Sequence, residues 1–336
     1  MGNKVQNGPI DFVLIWVDGN DPKWQEEYSK YKGDGGDRRA HRFRDTQLLQ
    51  YWFRGVEKFA PWVNKVYFVT CGQKPGWLNT EHPKLVCVNH SDFIPAQYLP
   101  TFSSQAIEVN LHRIPGLSER FVYFNDDTFI VREVEEEDFF VNGLPCDSAV
   151  INYAAPRQEP LNLVPFVNAA AINRHFVKKE VLRRNFGKFF NLKYHEYLLK
   201  NIQFIPGKWF PGFKYFHQPS PLLKSTLEEV WDKEYELMDR TSAHKFRVLT
   251  DANQWLFRNW QVCSGRFEPQ DTRIGYYESI EQKDQLDRAV KAILSGKYKL
   301  VCPNDAGMED FDLLKKELQE AFSRILPEKS GFEIEL

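Results

Sequence analysis

Apolar and polar positions follow two rhythms along the chain. Short, nearly unbroken apolar runs occur at FVLIWV (12–17), KVYFVT (65–70), LVCV (85–88), FVYF (121–124) and SAVI (148–151). Runs of this length, rich in aromatic and β-branched residues, predict strands buried on both faces. Between them, DTQLLQYWFRGVEKFA (45–60) and SSQAIEVNLHRI (103–114) place apolar residues at helical spacing. Asp45 and Ser103 or Ser104 are the candidate N-caps, and Pro61 and Pro115 the stops. Strands alternating with helices in this way predict an α/β fold with a Rossmann-like, mostly parallel sheet.

The pattern changes near residue 150. Segments 174–190, 223–241 and 251–263 predict helices, and the Pro-, Gly- and aromatic-rich stretch 204–223 predicts an ordered loop. YKLVCPND (298–305) predicts a late strand that rejoins the sheet, and 309–327 an amphipathic terminal helix. The expected organisation is an α/β core over 1–150 and 296–310. A mainly helical insertion over 151–295 carries His217 and Arg247, and a helix and tail follow over 308–336.

Composition narrows the function classes. The 336 residues hold 44 basic and 46 acidic side chains, so no global field calls for nucleic acid. The basic runs RRAHRFR (38–44) and KKEVLRR (178–184) read as solvated faces. No apolar stretch reaches the roughly 18–20 residues of a membrane span. The start MGNKVQNGPIDF lacks the apolar centre of a secretory signal, and Gln6 stands where an N-myristoylation motif has Ser or Thr. Five cysteines without a CxxC pair suggest reduced thiols in a cytoplasmic protein and no zinc site. GxxxxGK[ST], GxGxxG and GxSxG are all absent.

Candidate chemistry concentrates where apolar runs end. FVYFNDDTFIV (121–131) sets Asn125, Asp126 and Asp127 at the end of a buried strand. Adjacent carboxylates repel, and a hard divalent cation, Mg²⁺ or Mn²⁺, offsets that cost. A turn capped by Asn and Asp is the competing reading. LVCPNDAG (300–307) repeats the device with Asn304 and Asp305, and WVDGND puts Asp18 at the end of the first run. His217, in FHQPSP, is held by prolines where it can take a proton, and a packing histidine is the alternative. Arg247 and Arg174 suit the non-bridging oxygens of a diphosphate, or surface ion pairs. The residues alone point to an α/β protein that binds a nucleotide-linked substrate through a divalent metal.

Together these blocks resemble the Stealth family. IDFVLIWVDGNDPKW (10–24) is similar to its first conserved block, and 42–79 with 99–127 to its second. HQP (217–219) with TSAHKFRVLTDANQWLF (241–257) resembles the third, and CPNDAG (302–307) the fourth. The resemblance implies a sugar-1-phosphate transferase of bacterial capsule or exopolysaccharide synthesis. Its donor would be a UDP-hexose or UDP-N-acetylhexosamine, and its acceptor a saccharide hydroxyl on a growing or lipid-linked polysaccharide. UMP would leave and a phosphodiester would form.

The same resemblance implies Asp126, Asp127 and Asp305 as metal ligands, with His217, Arg247, Arg174 and Asp127 as catalytic groups. His217 is expected as the general base. Asp18, Gly19, Arg44, Gln73, Asn125 and Asn304 are expected to bind substrate. Gly55, Cys71 and Pro303 depart from the usual family pattern, which bears on specificity rather than on the reaction class. A cytoplasmic protein, peripheral at the inner face of the membrane, is the expected location, and an oligomer is compatible with the sequence. Two other functions remain open: a metal-dependent glycosyltransferase releasing UDP, and a non-catalytic saccharide-binding protein that uses the aromatics for stacking.

Overall fold

The computed structural model describes residues 8–31, 33, 43–154 and 163–334; the first seven residues and the 38–42 part of the basic run lie outside them. The strands are β1 (Ile10–Ile15), β2 (Val66–Thr70), β3 (Leu85–Asn89), β4 (Arg120–Phe124), β5 (Phe129–Ile130), β6 (Phe140–Val141), β7 (Leu144–Asp147), β8 (Ser220–Leu223), β9 (Glu268–Pro269), β10 (Gly275–Ile280) and β11 (Leu300–Asp305). The first helices are α1 (Pro22–Lys30), α2 (Leu49–Phe59), α3 (Ser104–Glu108), α4 (Val164–His175), α5 (Lys178–Arg184) and α6 (Phe186–Phe189). They are followed by α7 (Leu198–Gln203), α8 (Lys224–Lys233), α9 (Tyr235–Ala243), α10 (Gln254–Ser264), α11 (Lys283–Leu294) and α12 (Phe311–Ile325).

The main sheet runs β3-β2-β1-β4-β8. Its first four strands are parallel, and β8 closes the edge antiparallel to β4. Alternate side chains feed two cores. Val13, Tyr67, Val69, Phe121 and Tyr123 pack on one face, and Phe12, Leu14, Phe68, Val122 and Phe124 on the other. Burial on both faces explains why these strands read as unbroken apolar runs. The order 3-2-1-4 reverses direction between β1 and β4, and such a switch opens a crevice at the carboxyl ends of those strands.

A second sheet, β10-β11-β5, joins β11 parallel to β10 and antiparallel to β5. The late strand expected to rejoin the main sheet therefore belongs to this separate sheet. Only the four-residue link 125–128 separates β4 from β5, so the chain crosses between sheets at Asn125-Asp126-Asp127-Thr128.

Several expectations change. SAVI is not a strand; β7 precedes it, and Ile151 makes only an isolated bridge to Phe213. The loop expected over 204–223 ends in β8, and β10 had no expectation at all. Asp45 does not cap α2, whose N-cap is Leu48 without a side-chain bond. Asp45 instead accepts the Gln47 N–H at 2.8 Å. Ser103 does cap α3, and the helix expected from 251 starts at Gln254 with Asn253 as its cap.

Candidate active site

The crevice between β1 and β4 collects most of the expected residues. Gln73, just after β2, is spent on structure in the loop that follows β1. Its Oε1 accepts the Asp18 N–H at 2.9 Å, and its Nε2 donates to the Asp18 carbonyl at 2.9 Å and to Asp21 Oδ2 at 3.2 Å. Gln73 thus shapes the Asp18 loop from beneath. Gly19 is buried, and a Cβ there would meet the Phe43 carbonyl oxygen at 2.2 Å, so only glycine admits the 43–45 segment against this loop. Arg44 and Asp45 follow that contact directly.

After β4, Thr128 closes the turn by donating its N–H (3.1 Å) and Oγ1 (2.7 Å) to the Asn125 carbonyl. Asn125 Oδ1 accepts from the Tyr123 hydroxyl at 2.7 Å, and the same hydroxyl oxygen lies 3.2 Å from buried Glu108 Oε1. Asp126 reaches solvent, yet protein surrounds it on most sides. That lost hydration, then Asp127 and Asp45, push its carboxyl up to about 7, against a smaller pull from Arg247. Burial also raises Asp127, while the Cys302 thiol, its own backbone N–H and Arg247 pull it back. Asp45 is raised by burial and by Asp18, partly offset by the Gln47 N–H and Lys315. Asp18, Asp45, Asp126 and Asp127 therefore share one acidic floor with Arg247 beside it.

Arg247 sits on the loop between α9 and α10. Buried Asp251 ties that loop: Oδ2 accepts the Val248 N–H at 2.8 Å, and Oδ1 lies 2.6 Å from His244 Nδ1. Arg247 Nη2 donates to Ser104 Oγ at 2.6 Å. Ser104 is the first residue of α3, whose last residue is Glu108, so one short helix supports both Arg247 and the Tyr123–Asn125 pair.

The second sheet brings the remaining groups. Tyr277 and Cys302 are register partners, as are Ser279 with half-buried Asn304, and Ile280 with Asp305. Cys302 lies beside Asp127 on one side of this ladder, and burial together with that carboxylate pushes its thiol pKa well up. His217 stacks on Tyr277 (centroids 4.2 Å apart, 16° between planes) and meets Trp255 edge-on at 5.1 Å. Its φ of 48° is a left-handed conformation that a non-glycine residue adopts only when its surroundings impose it. One such constraint is next door: Gln218 packs so closely on Gly275 that a Cβ there would lie 2.1 Å from Gln218 Oε1. His217 and Asp127 thus flank adjacent register partners on one face. Asp305 pairs with Arg44 at 2.6 Å, and Arg44 also covers the Phe311 ring at 4.5 Å.

Two conserved regions of a known family match the chain: Stealth protein CR1, conserved region 1, over residues 8–36, and Stealth protein CR2, conserved region 2, over 42–146. A capsular polysaccharide phosphotransferase, WcwK of Streptococcus pneumoniae, is 42% identical over 332 residues, covering 96% of this chain and 98% of the relative. The chain belongs to the Stealth family. A receptor polysaccharide phosphotransferase, WefC of Streptococcus gordonii, is 41% identical over 97% of the Stealth chain described here and 99% of its own length. An exopolysaccharide phosphotransferase, cps2G of Lactiplantibacillus plantarum, is 41% identical over 97% of both. Among solved structures, the galactosyltransferase LgtC bound to donor and acceptor sugar analogues is 9% identical, with a TM-score of 0.38 over 92% of this chain and 95% of its own.

The two Stealth regions span Asp18, Gly19, Arg44, Asp45, Gln73, Ser104, Glu108 and Asn125 to Asp127. His217, Arg247, Asn304 and Asp305 lie beyond both. Among the described residues no three His, Cys, Asp or Glu side chains are grouped to hold a metal, and Asp305, expected as the third ligand, is ion-paired with Arg44. The remaining pair nevertheless fits a hard divalent cation. Asp127 Oδ1 is buried without a hydrogen-bond partner, and the Asp126 carboxyl lies beside it. Mg²⁺ needs few protein carboxylates and fills its other positions with water and phosphate oxygens.

Arg174 stands apart. At the end of α4 it forms a two-pronged ion pair with Glu234, which His175 also approaches at 2.7 Å. Sequence reading missed Asp45, Glu108, Ser104 and Cys302 in this Stealth site. Asp45 had a signal, since it directly follows Arg44 in the second block, but its capping pattern diverted it.

Proposed function

We propose that this Stealth protein transfers a sugar-1-phosphate from a UDP-hexose or UDP-N-acetylhexosamine to a saccharide hydroxyl, forming a phosphodiester in a cell-surface polysaccharide and releasing UMP. The observation behind this reading is the Asp126–Asp127 pair, with a buried, partnerless oxygen, set beside Arg247 at the switch point of the sheet. Near-full-length likeness to proteins named polysaccharide phosphotransferases supports it.

In this reading the acceptor oxygen attacks the β-phosphorus. A new P–O bond forms as the bond to the bridging oxygen breaks, and UMP departs with that electron pair. His217 takes the hydroxyl proton, its ring plane fixed by Tyr277 and Trp255. Arg247 offsets charge growing on the equatorial oxygens, and its bond to Ser104 holds it in place. Asp126 and Asp127 would hold Mg²⁺ or Mn²⁺, which supplies positive charge to the diphosphate when bound. Asp18, Gly19, Arg44 and Asp45 line the donor side, with Asn304 and Asp305 opposite. Gln73 and Asn125 act through the loops they shape. Arg174 drops out of the mechanism because Glu234 occupies its guanidinium. The anomeric C–O bond is untouched, so the donor configuration is kept. Residues 1–150 with 296–310 form the donor half, 151–295 supply His217 and Arg247, and a nucleotide-sugar donor places the reaction in the cytoplasm.

The test is a panel of UDP-sugars with Mg²⁺ or Mn²⁺ and a saccharide acceptor, separating the nucleotide products. UMP with a phosphorus-containing product supports the reading. UDP would identify a glycosyltransferase, and metal-independent saccharide binding without turnover would identify a binding protein.

A further inference from the structure

The charge of the chain is unevenly spread. Residues 177–209 hold eight Lys and Arg against two Glu, while the chain as a whole is net −2, so the positive charge is concentrated here and the remainder is net negative. The same stretch exposes large apolar side chains: Val177 (59% exposed), Leu199 (70%), Ile202 (50%), Ile205 (50%) and Trp209 (54%). Leu199 and Ile202 share one face of α7, three residues apart. Ile205 continues that turn through its N–H to the Ile202 carbonyl, and exposed Lys208 lies 4.7 Å from the Trp209 ring centroid.

These residues are held outward. Lys178 is 2% exposed, and its ammonium donates to the carbonyls of Phe204, Pro206 (3.1 Å) and Gly207 (3.2 Å). Three carbonyls turned in to one buried cation fix the backbone of the 204–207 loop, leaving Ile205 and Trp209 facing water. A lysine buried in this way ties the loop to the start of α5, where Val177 and Lys179 are also exposed. Contiguous exposed apolar side chains interleaved with cations suit a surface that is apolar beneath and anionic above. A second copy of this face suits poorly, because a two-fold contact would bring two cationic faces together.

We propose that the 177–209 surface seats the protein on an anionic lipid bilayer, with Leu199, Ile202, Ile205 and Trp209 entering the headgroup–acyl boundary and Lys179 and Lys208 meeting the lipid phosphates. No helix among the described residues is long and apolar enough to cross a membrane, so this contact lies in the interface plane.

The test is flotation of the full chain with vesicles of phosphatidylcholine alone or with 30% phosphatidylglycerol added, in the order of 50 and 500 mM salt. Binding should be at least about tenfold stronger to the anionic vesicles and should weaken at the higher salt. Lys179→Ala with Lys208→Ala should weaken it about thirtyfold, since each lysine near an anionic surface contributes about fivefold. Ile205→Ser with Trp209→Ser should weaken it at least about tenfold with an unchanged melting temperature. Absence of flotation, equal binding to both vesicles, or full binding by the serine variant would overturn the proposal. So would a dimer that the serine variant dissociates without any vesicle binding by the parent.

Discussion

Gly19→Ala tests whether the 43–45 segment belongs to the donor site. Gly19 does not occupy the left-handed region, so alanine meets no backbone strain. What it meets is space: its Cβ would lie 2.2 Å from the Phe43 carbonyl oxygen and 2.7 Å from the Phe43 Cβ. Restoring ordinary contact requires Phe43 to withdraw by about 1 Å. The Phe43 ring packs against Trp24 (5.0 Å) and Tyr28 (5.7 Å), so the segment cannot swing away without moving its neighbours. The displacement passes to Arg44, bonded to Asp305 at 2.6 Å, and to Asp45, which acts on Asp126. A misplacement of about 1 Å at a positioning group costs on the order of 10² in rate. Initial rates of UMP release against donor concentration should show kcat/KM about 100-fold lower, while the melting temperature falls by no more than about 5 °C. An alanine variant with parental kcat/KM would refute the reasoning, because Arg44 and Asp45 would then not be placed by this contact.

Asp126→Asn and Asp127→Asn should each lower transfer by about 10²–10³ or more and abolish Mn²⁺ binding in calorimetry, without loss of fold. His217→Ala should cut kcat by roughly 10²–10⁴ with donor affinity unchanged; near-parental turnover would remove it as the base. His112, buried against Trp231 with an unpartnered Nδ1, has its pKa lowered to about 3, first by burial and then by Arg113 and Lys224. The unfolded chain, with an ordinary histidine near 6.5, binds a proton that the native state refuses. Stability from this residue is therefore full above about pH 6.5 and falls toward pH 3, by about 2 kcal/mol at pH 5. Urea unfolding at pH 7.5 and 5 should show that loss, and His112→Leu should remove it. Arg258 and Asp147 form a buried, two-pronged ion pair, with Nε to Oδ2 at 2.8 Å and Nη2 to Oδ1 at 2.5 Å. Arg258→Met should cost about 3–5 kcal/mol by stranding the carboxylate, and adding Asp147→Asn should recover part of it.

The parts of this fold that were legible in the sequence are those whose burial is complete. β1, β2 and β4 are buried at every position, so each left an unbroken apolar run with a visible end. Asp18 and Asp126-Asp127 could be placed at carboxyl ends for that reason alone. β10 offered no such run: it is half-exposed at every position but its last, and GYYESI gains its strand only by pairing with β11. β8 was hidden by Pro221, which is tolerated because the strand lies at the sheet edge. Asp45 matched a capping pattern, but the contact of Phe43 with Gly19 holds its segment against the β1 loop, and α2 starts four residues later without it.

Individual site residues are legible in the sequence where their arrangement is not. A strand's apolar run is a local property, whereas its partner is chosen by contacts between distant parts of the chain. β11 carried a clear local signal, and the natural expectation was a place in the larger sheet. Its pairing instead with β5, directly after the Asp126-Asp127 turn, brings Cys302 to Asp127. The pairing with β10 then carries Tyr277, and with it His217, to the same face. Arg247 arrives by a third route, through Ser104. Each route depends on a side chain with no recognisable motif (a cysteine, a tyrosine and a serine), and these connect the acidic turn to His217 and Arg247. In the proposed mechanism the first four strands set the donor half, so specificity for the acceptor should be sought in the 204–223 and 244–251 segments that deliver His217 and Arg247.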